Sequence, residues 1–134
     1  MSQENVEVVR AVCAPWERGD FTSAEWAHPE IEFVVADGPT PGAGTGLAAM
    51  NDAWREALAA TEGLHVEVEE YIPLEGDRVL VLMHNSGRAK ASGLDLGQLG
   101  NRSANLFHIR EGKVAKLVIY WDRQEALEAL GLSE

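Results

Sequence analysis

Cysteine is almost missing from this chain. Cys13 is its one cysteine, so an internal disulfide and a Cys-x-x-Cys metal or redox pair are both excluded. It lies among Val9, Val12 and Trp16, a setting that reads as a small buried hydrophobe rather than a nucleophile. Positive charge is scarce too. Eleven Lys and Arg stand against 22 Asp and Glu, a formal net charge of −11. Such a chain repels phosphate backbones and anionic headgroups, which argues against nucleic acid and membrane surfaces as partners. No apolar run approaches the ~18 residues that would cross a bilayer. The opening Met-Ser-Gln-Glu-Asn lacks the basic start and apolar stretch of an export signal. A cytoplasmic location is therefore expected. Without an export signal, the glycosylation triplet at Asn101, Arg102 and Ser103 carries no weight.

Several chemical signatures are absent as well. His28, His65, His84 and His108 show no HxH, HxxxH or HExxH spacing, so no metal site is expected. No GxSxG surrounds any serine. Gly42, Gly44 and Gly46 do not make a phosphate-binding loop, and Asp37 ahead of them would repel phosphate. No cofactor is expected.

What is present fits one globular domain of 134 residues, 46% hydrophobic and 25% charged. Val6, Val9, Cys13 and Trp16 share a face of a first helix, which Ser2 can cap and Gly19-Asp20 ends. A second short helix is expected next. Thr22 and Glu25 make a capping box, Phe21 and Trp26 a hydrophobic staple, and His28-Pro29 closes it. Residues 31–35 read as a strand, 37–46 as a Gly/Pro-rich loop. A helix over 47–60 carries Leu47, Met50, Trp54 and Leu58 on one side, and Gly63 ends it.

The period then changes. Leu64, Val66 and Val68 alternate with His65, Glu67 and Glu69, which marks a strand with one wet face. Pro73 and the turn at 75–77 end it. The apolar run 79–83 reads as a central strand covered on both faces. Two further strands, 102–109 and 114–121, meet at a Glu111-Gly112 hairpin. A last helix over 122–130 stops at Gly131. Helices followed by consecutive antiparallel strands argue for an α+β fold. Alternation places Ser103, Asn105, Phe107 and Ile109 on one face, and Leu117, Ile119 and Trp121 on one face.

Four segments carry a resemblance. They are Gly46-Leu47-Ala48-Ala49-Met50-Asn51-Asp52-Ala53-Trp54, Ser86-Gly87-Arg88-Ala89-Lys90-Ala91-Ser92-Gly93, the hairpin from Ala104 to Val114, and Tyr120-Trp121-Asp122-Arg123-Gln124-Glu125-Ala126-Leu127. With the order of elements, the whole chain resembles the nuclear transport factor 2-like superfamily, most closely its SnoaL-like branch. The resemblance implies a cone-shaped curled antiparallel sheet packed against three helices, with a short C-terminal helix. It also implies an apolar pocket for a small molecule. Walls and lid would come from Trp16, Phe33, Trp54, Met83, Asn85, Phe107, Leu117, Ile119 and Trp121. Plain core packing is the competing reading of each aromatic, above all Trp16 and Trp26. A homodimer through the outer sheet face is expected, with Arg102 and His108 on that face.

Ketosteroid isomerase, a member of this fold, supplies a residue-by-residue test. Asp37 falls where that enzyme keeps its general base, Asn105 where it keeps a donor carboxylic acid, and Val12 where it keeps a donor tyrosine. One position is retained, one is an amide, and one is apolar. An amide N–H still donates to an oxygen; valine does not. A loop aspartate before glycine is also a common turn former. The Asp-Arg-Asp set of limonene epoxide hydrolase is incomplete, because Ile119 stands at the last-strand aspartate position. Near the strand bend, either Asn85 faces the pocket beside Asn105, or a bulge near Gly87 turns His84 inward toward Asp37.

Three functions follow from the resemblance. The first is an isomerase-, cyclase- or hydrolase-like enzyme on an apolar carbonyl compound, with Asp37 as base and Asn105 polarising an oxygen. The second is a non-catalytic binding module for an apolar metabolite. The third is a dimeric interaction protein. Fold alone does not choose between them.

Overall fold

The computed structural model describes residues 2–18, 20, 25–36, 42–59, 61–89 and 102–132. Helix α1 (Ser2–Glu17) leads into strands β1 (Ala27–Val35) and β2 (Gly42–Thr45). Helix α2 (Leu47–Ala59) follows, then β3 (Thr61–Leu74), β4 (Arg78–Ala89), β5 (Arg102–Arg110), β6 (Lys113–Tyr120) and helix α3 (Arg123–Ala129). The strands form one curled, open, six-stranded sheet in the order β2-β1-β6-β5-β4-β3.

The sheet is mixed rather than wholly antiparallel. β1 runs parallel to β6, pairing Phe33 with Leu117 and Val35 with Ile119. The first strand lies beside the last, and the long chain between them supplies the crossover that a parallel pair requires.

β1 also begins earlier than expected. Glu25 and Trp26 form a turn, and His28 and Pro29 already belong to the strand. A residue before proline prefers extended backbone, which suits a strand as well as a helix end. The β1–β6 register slips between Ala27 and Glu32, around the residue that has no N–H to donate. The expected capping box and staple rest on Phe21 and Thr22, which lie outside the described residues.

The end of the Gly-rich segment is a strand, β2, paired antiparallel to β1. Two glycines of this segment have a structural reason. A Cβ on Gly44 would stand 2.9 Å from the Ala49 Cβ, so glycine lets α2 come close. Gly46 has φ +95°, a conformation that favours glycine. Gly63 lies inside β3 rather than ending α2, where the register slips between Glu62 and His65.

Two apolar clusters cover the two sheet faces. The inner one joins Val6, Val9, Cys13 and Trp16 of α1 and Met50 of α2 to Phe33, Val79, Val81, Met83, Phe107 and Leu117. The outer one joins Ala126 and Leu127 of α3 to Leu80, Leu82, Ala104, Leu106 and Val118. The run 79–83 alternates between the clusters, as a strand covered on both faces must. At the β5–β6 hairpin, Glu111 and Gly112 have φ 53° and 76°, the pair of positive values that a type I′ turn needs. Asp122 caps α3, accepting from the Gln124 N–H at 2.9 Å, and Gly131 follows with φ +69°. Among the described residues no helix is long and apolar enough to cross a membrane.

Candidate functional site

Strand pairing arranges the inner face in rows. Phe33, Leu117, Phe107 and Val79 stand side by side across four strands. In the next row come Val35, Ile119, Asn105 and Val81. Then come Ser103, Met83 and Val68. The first row is sealed. Phe107 and Leu117 have no exposed surface, and the Trp16 ring lies 6.1 Å from Phe107 and 5.8 Å, edge-on, from Trp26. The second row opens toward one end, where Val35 and Ile119 are half-buried and half-buried Trp121 follows β6.

One amide interrupts this apolar wall. Asn105 is 5% exposed, between Val81 and Ile119 across the sheet and Ser103 and Phe107 along its own strand. Its Nδ2 donates to the Met83 Sδ at 3.5 Å. A thioether is a weak acceptor, and a buried amide that lacks good partners costs ~1–3 kcal/mol.

Two other polar groups near this wall, Cys13 and Tyr71, are held in their neutral forms. Burial first, and then Glu17, push the Cys13 thiol up to about 12. Burial likewise takes the Tyr71 phenol to about 12, with Cys13 and Glu17 adding to it. The two side chains hydrogen-bond to each other, and Arg10 lies over the Tyr71 ring at 4.7 Å. Cys13 is thus a buried hydrophobe and not a nucleophile.

Of the residues singled out in the sequence, the inner face gathers Trp16, Phe33, Met83, Asn105, Phe107, Leu117 and Ile119. Asp37 and the side chains of Trp54 and Asn85 lie outside the described residues. Asn85 stands in register with Val66 of the inner cluster. His84 belongs to the outer face, in register with Glu67 and Arg102, and its charge acts on Glu69 there. His108 is also on the outer face, half-buried between Arg78 and Lys116. Burial, then those two cations, lowers its pKa.

Two clefts are lined by described residues, and Asn105 lines neither. One, of about 580 Å³, separates α1 from β3 beside Arg10 and Tyr71. The other, of about 380 Å³, lies at Asn5 and the β3–β4 turn. Among the described residues, no group of three or more His, Cys, Asp or Glu could hold a metal ion.

Sequence reasoning missed Arg123. It is 9% exposed and reaches from α3 to the Met83 carbonyl at 3.0 Å and to the Glu69 carboxylate. The Glu69-Glu70 doublet was the available signal, because it interrupts the alternation of β3.

A family model described as the SnoaL-like domain matches residues 9–117. Among solved structures, TerC co-crystallised with polyporic acid is 20% identical, with TM-score 0.71, over 96% of this chain and 98% of that one. A candidate polyketide cyclase of Sinorhizobium meliloti is 22% identical, with TM-score 0.65, over 89% and 98%. An LEH-like epoxide hydrolase of M. tuberculosis is 13% identical, with TM-score 0.65, over 96% and 90%. No curated protein matches the chain. At these identities the structures speak for the fold, and the family model covers most of the chain; the chain belongs to the SnoaL-like domain family of the NTF2-like superfamily.

Proposed function

We propose that the inner face binds a flat, mostly apolar molecule through a carbonyl oxygen, and that Asp37 moves a proton beside that carbonyl. The observation that carries this reading is Asn105. It is a buried amide in an apolar wall, and its partner is a sulfur 3.5 Å away. A ketone oxygen is a far better acceptor than a thioether. Proton removal beside a carbonyl places negative charge on that oxygen, and a preorganised N–H stabilises it. Low polarity around the group strengthens the interaction. The neighbours Val81, Met83, Ser103, Phe107 and Ile119 carry no carboxylate or imidazole. The base role is carried to Asp37 from the resemblance to ketosteroid isomerase; Asp37 itself lies outside the described residues, and its neighbour Ala36 donates its N–H to the Ile119 carbonyl at 2.9 Å. The similar structures described as a candidate polyketide cyclase and as an epoxide hydrolase are in keeping with a small-molecule site.

The same bareness of the wall favours a second reading, in which the inner face binds an apolar metabolite without turnover. Native mass spectrometry of freshly purified protein, before and after denaturation, tests for a co-purifying molecule. Asp37→Asn then separates the readings. Loss of turnover with binding retained supports catalysis, whereas a ligand bound tightly and never turned over supports the binding module. Absence of binding to any panel of neutral ketones, quinones and epoxides contradicts both. We also propose a homodimer through the outer face, where Val34, Ile72, Leu74 and Tyr120 are half-buried. Sedimentation as a monomer contradicts that part.

A further inference from the structure

β3 changes phase in mid-strand. Val66 and Val68 belong to the inner cluster, and so does Tyr71, whereas Ile72 and Leu74 belong to the outer one. The change falls at Glu69-Glu70. Val68 stands opposite Met83 and Glu70 opposite Leu82, with a register slip between them. Glu69 is the extra residue of a β-bulge.

A bulge disrupts the ladder locally, and its buried backbone groups must find other partners. Here charged side chains from two helices supply them. The Val68 N–H donates to Glu17 Oε2 at 3.1 Å. The Met83 carbonyl accepts from Arg123 Nη2 at 3.0 Å. Glu17 ends α1, which covers the inner face, and Arg123 opens α3, which covers the outer face. The bulge residue Glu69 provides the counter-charge that keeps the buried guanidinium in place. Arg123 Nε has no hydrogen-bond partner, so the guanidinium holds its place through Nη2.

Met83 joins this arrangement to the site, since its Sδ is the acceptor for Asn105. We propose that Glu17 and Arg123 are positioning residues. Gripping the bulge from opposite faces of the sheet, they fix the Val68–Met83 pair and thereby the direction of the Asn105 amide. The proposal rests on the reading that Asn105 meets the ligand carbonyl, yet part of its test needs no ligand.

The test uses the whole chain and two readouts. The first is NMR of the ligand-free protein. In Glu17→Leu and Arg123→Met, the Asn105 side-chain amide resonances move or broaden, and Val68 N–H exchange quickens by about tenfold or more in Glu17→Leu. The amide of Asn5, which donates to Asp77 Oδ1 at 3.1 Å, is the control and stays in place. Glu17→Gln, which keeps an acceptor oxygen, restores most of the Asn105 signal. If the leucine or methionine variant fails to fold, Glu17→Gln and Arg123→Lys are read instead, and smaller shifts in the same direction are expected. An unchanged Asn105 signal in folded variants overturns the proposal.

The second readout is the infrared carbonyl stretch of bound acetylnaphthalene, a neutral flat ketone. A downshift on binding, lost in Asn105→Leu and reduced in Arg123→Met, supports the proposal. A downshift lost in Asn105→Leu but unaltered in Glu17→Leu and Arg123→Met overturns it and leaves the site reading intact. No downshift in the unmodified protein counts against the site reading itself, and the ligand-free NMR then decides the positioning roles alone.

Discussion

The two faces of the sheet are built from alternate residues of the same strands, yet they treat polarity in opposite ways. On the outer face an apolar centre is flanked by charged rows. Glu32, Lys116, His108 and Arg78 stand in line across four strands, and Glu67, His84 and Arg102 line up at the far end. These groups lie near water and near each other, and Lys116 comes within 3.8 Å of Glu32. On the inner face, the rows from Phe33 to Val68 are apolar apart from Asn105 and Ser103. Polar groups at a wet edge need no special account, since such exposed pairs contribute ~0–1 kcal/mol each. A buried amide facing a thioether does need one. The comparison teaches where to look for function: at the polar group that the fold alone does not justify.

The sharpest way to break this contrast is to damage the sealed row. Phe107→Ala removes a fully buried ring that packs on Trp16. Thermal or urea unfolding is expected to show a loss of ~3–5 kcal/mol, as for other buried phenylalanines. A loss below ~1 kcal/mol would mean that the inner row is not packed as described.

A smaller effect is expected at the bulge. The hydrogen bond from Arg123, then its charge and those of Arg102 and His84, hold the Glu69 carboxyl below its usual range, against the pull of burial. Its folded pKa is depressed, so its contribution is present above the unfolded value and is lost as pH falls through the folded one. Because Glu69 is well exposed, that contribution is held to about 1 kcal/mol. Glu69→Gln is expected to lower stability at neutral pH and to narrow its gap to the unmodified protein on acidification. A gap that widens in acid contradicts the assignment.

The smallest effect concerns His108. Burial, Lys116 and Arg78 disfavour its protonation in the folded state. Its contribution is therefore present above the unfolded histidine pKa and is lost as pH falls below that value and on through the lower folded one. His108→Gln is expected to flatten the stability profile slightly between neutrality and pH ~5. NMR titration of the His108 ring checks this directly, and a midpoint above that of an exposed histidine contradicts it.

Much of this contrast was legible in the residues. The spacing of Val6, Val9, Cys13 and Trp16 marks the buried face of α1, and the run 79–83 announces a strand covered on both sides. Glu111-Gly112 gives the hairpin, and alternation on β5 places Asn105 with Phe107. The remainder depends on long-range closure. Nothing local to 27–35 says that it pairs in parallel with the last strand, and His28-Pro29 suits a strand and a helix end alike. β2 is hidden because a glycine that serves close approach, Gly44, looks like a loop residue. The isolation of Asn105 is invisible in sequence, because it depends on which atom of Met83 comes near. Arg123 is hard to read for the same reason: the Glu69-Glu70 doublet signals an interrupted strand, but an exposed-looking helix start does not name its carbonyl partner 40 positions earlier.

The central claim is that Asn105 is kept for function at a cost to the fold. Asn105→Leu tests it most directly, with melting temperature and acetylnaphthalene binding measured on the same sample. The account predicts a protein as stable as the original or more so, by up to ~1–2 kcal/mol, because an ill-partnered buried amide is gone. It predicts that the carbonyl downshift of the bound ketone disappears. A variant that is clearly less stable yet leaves the ketone signal unchanged would contradict it.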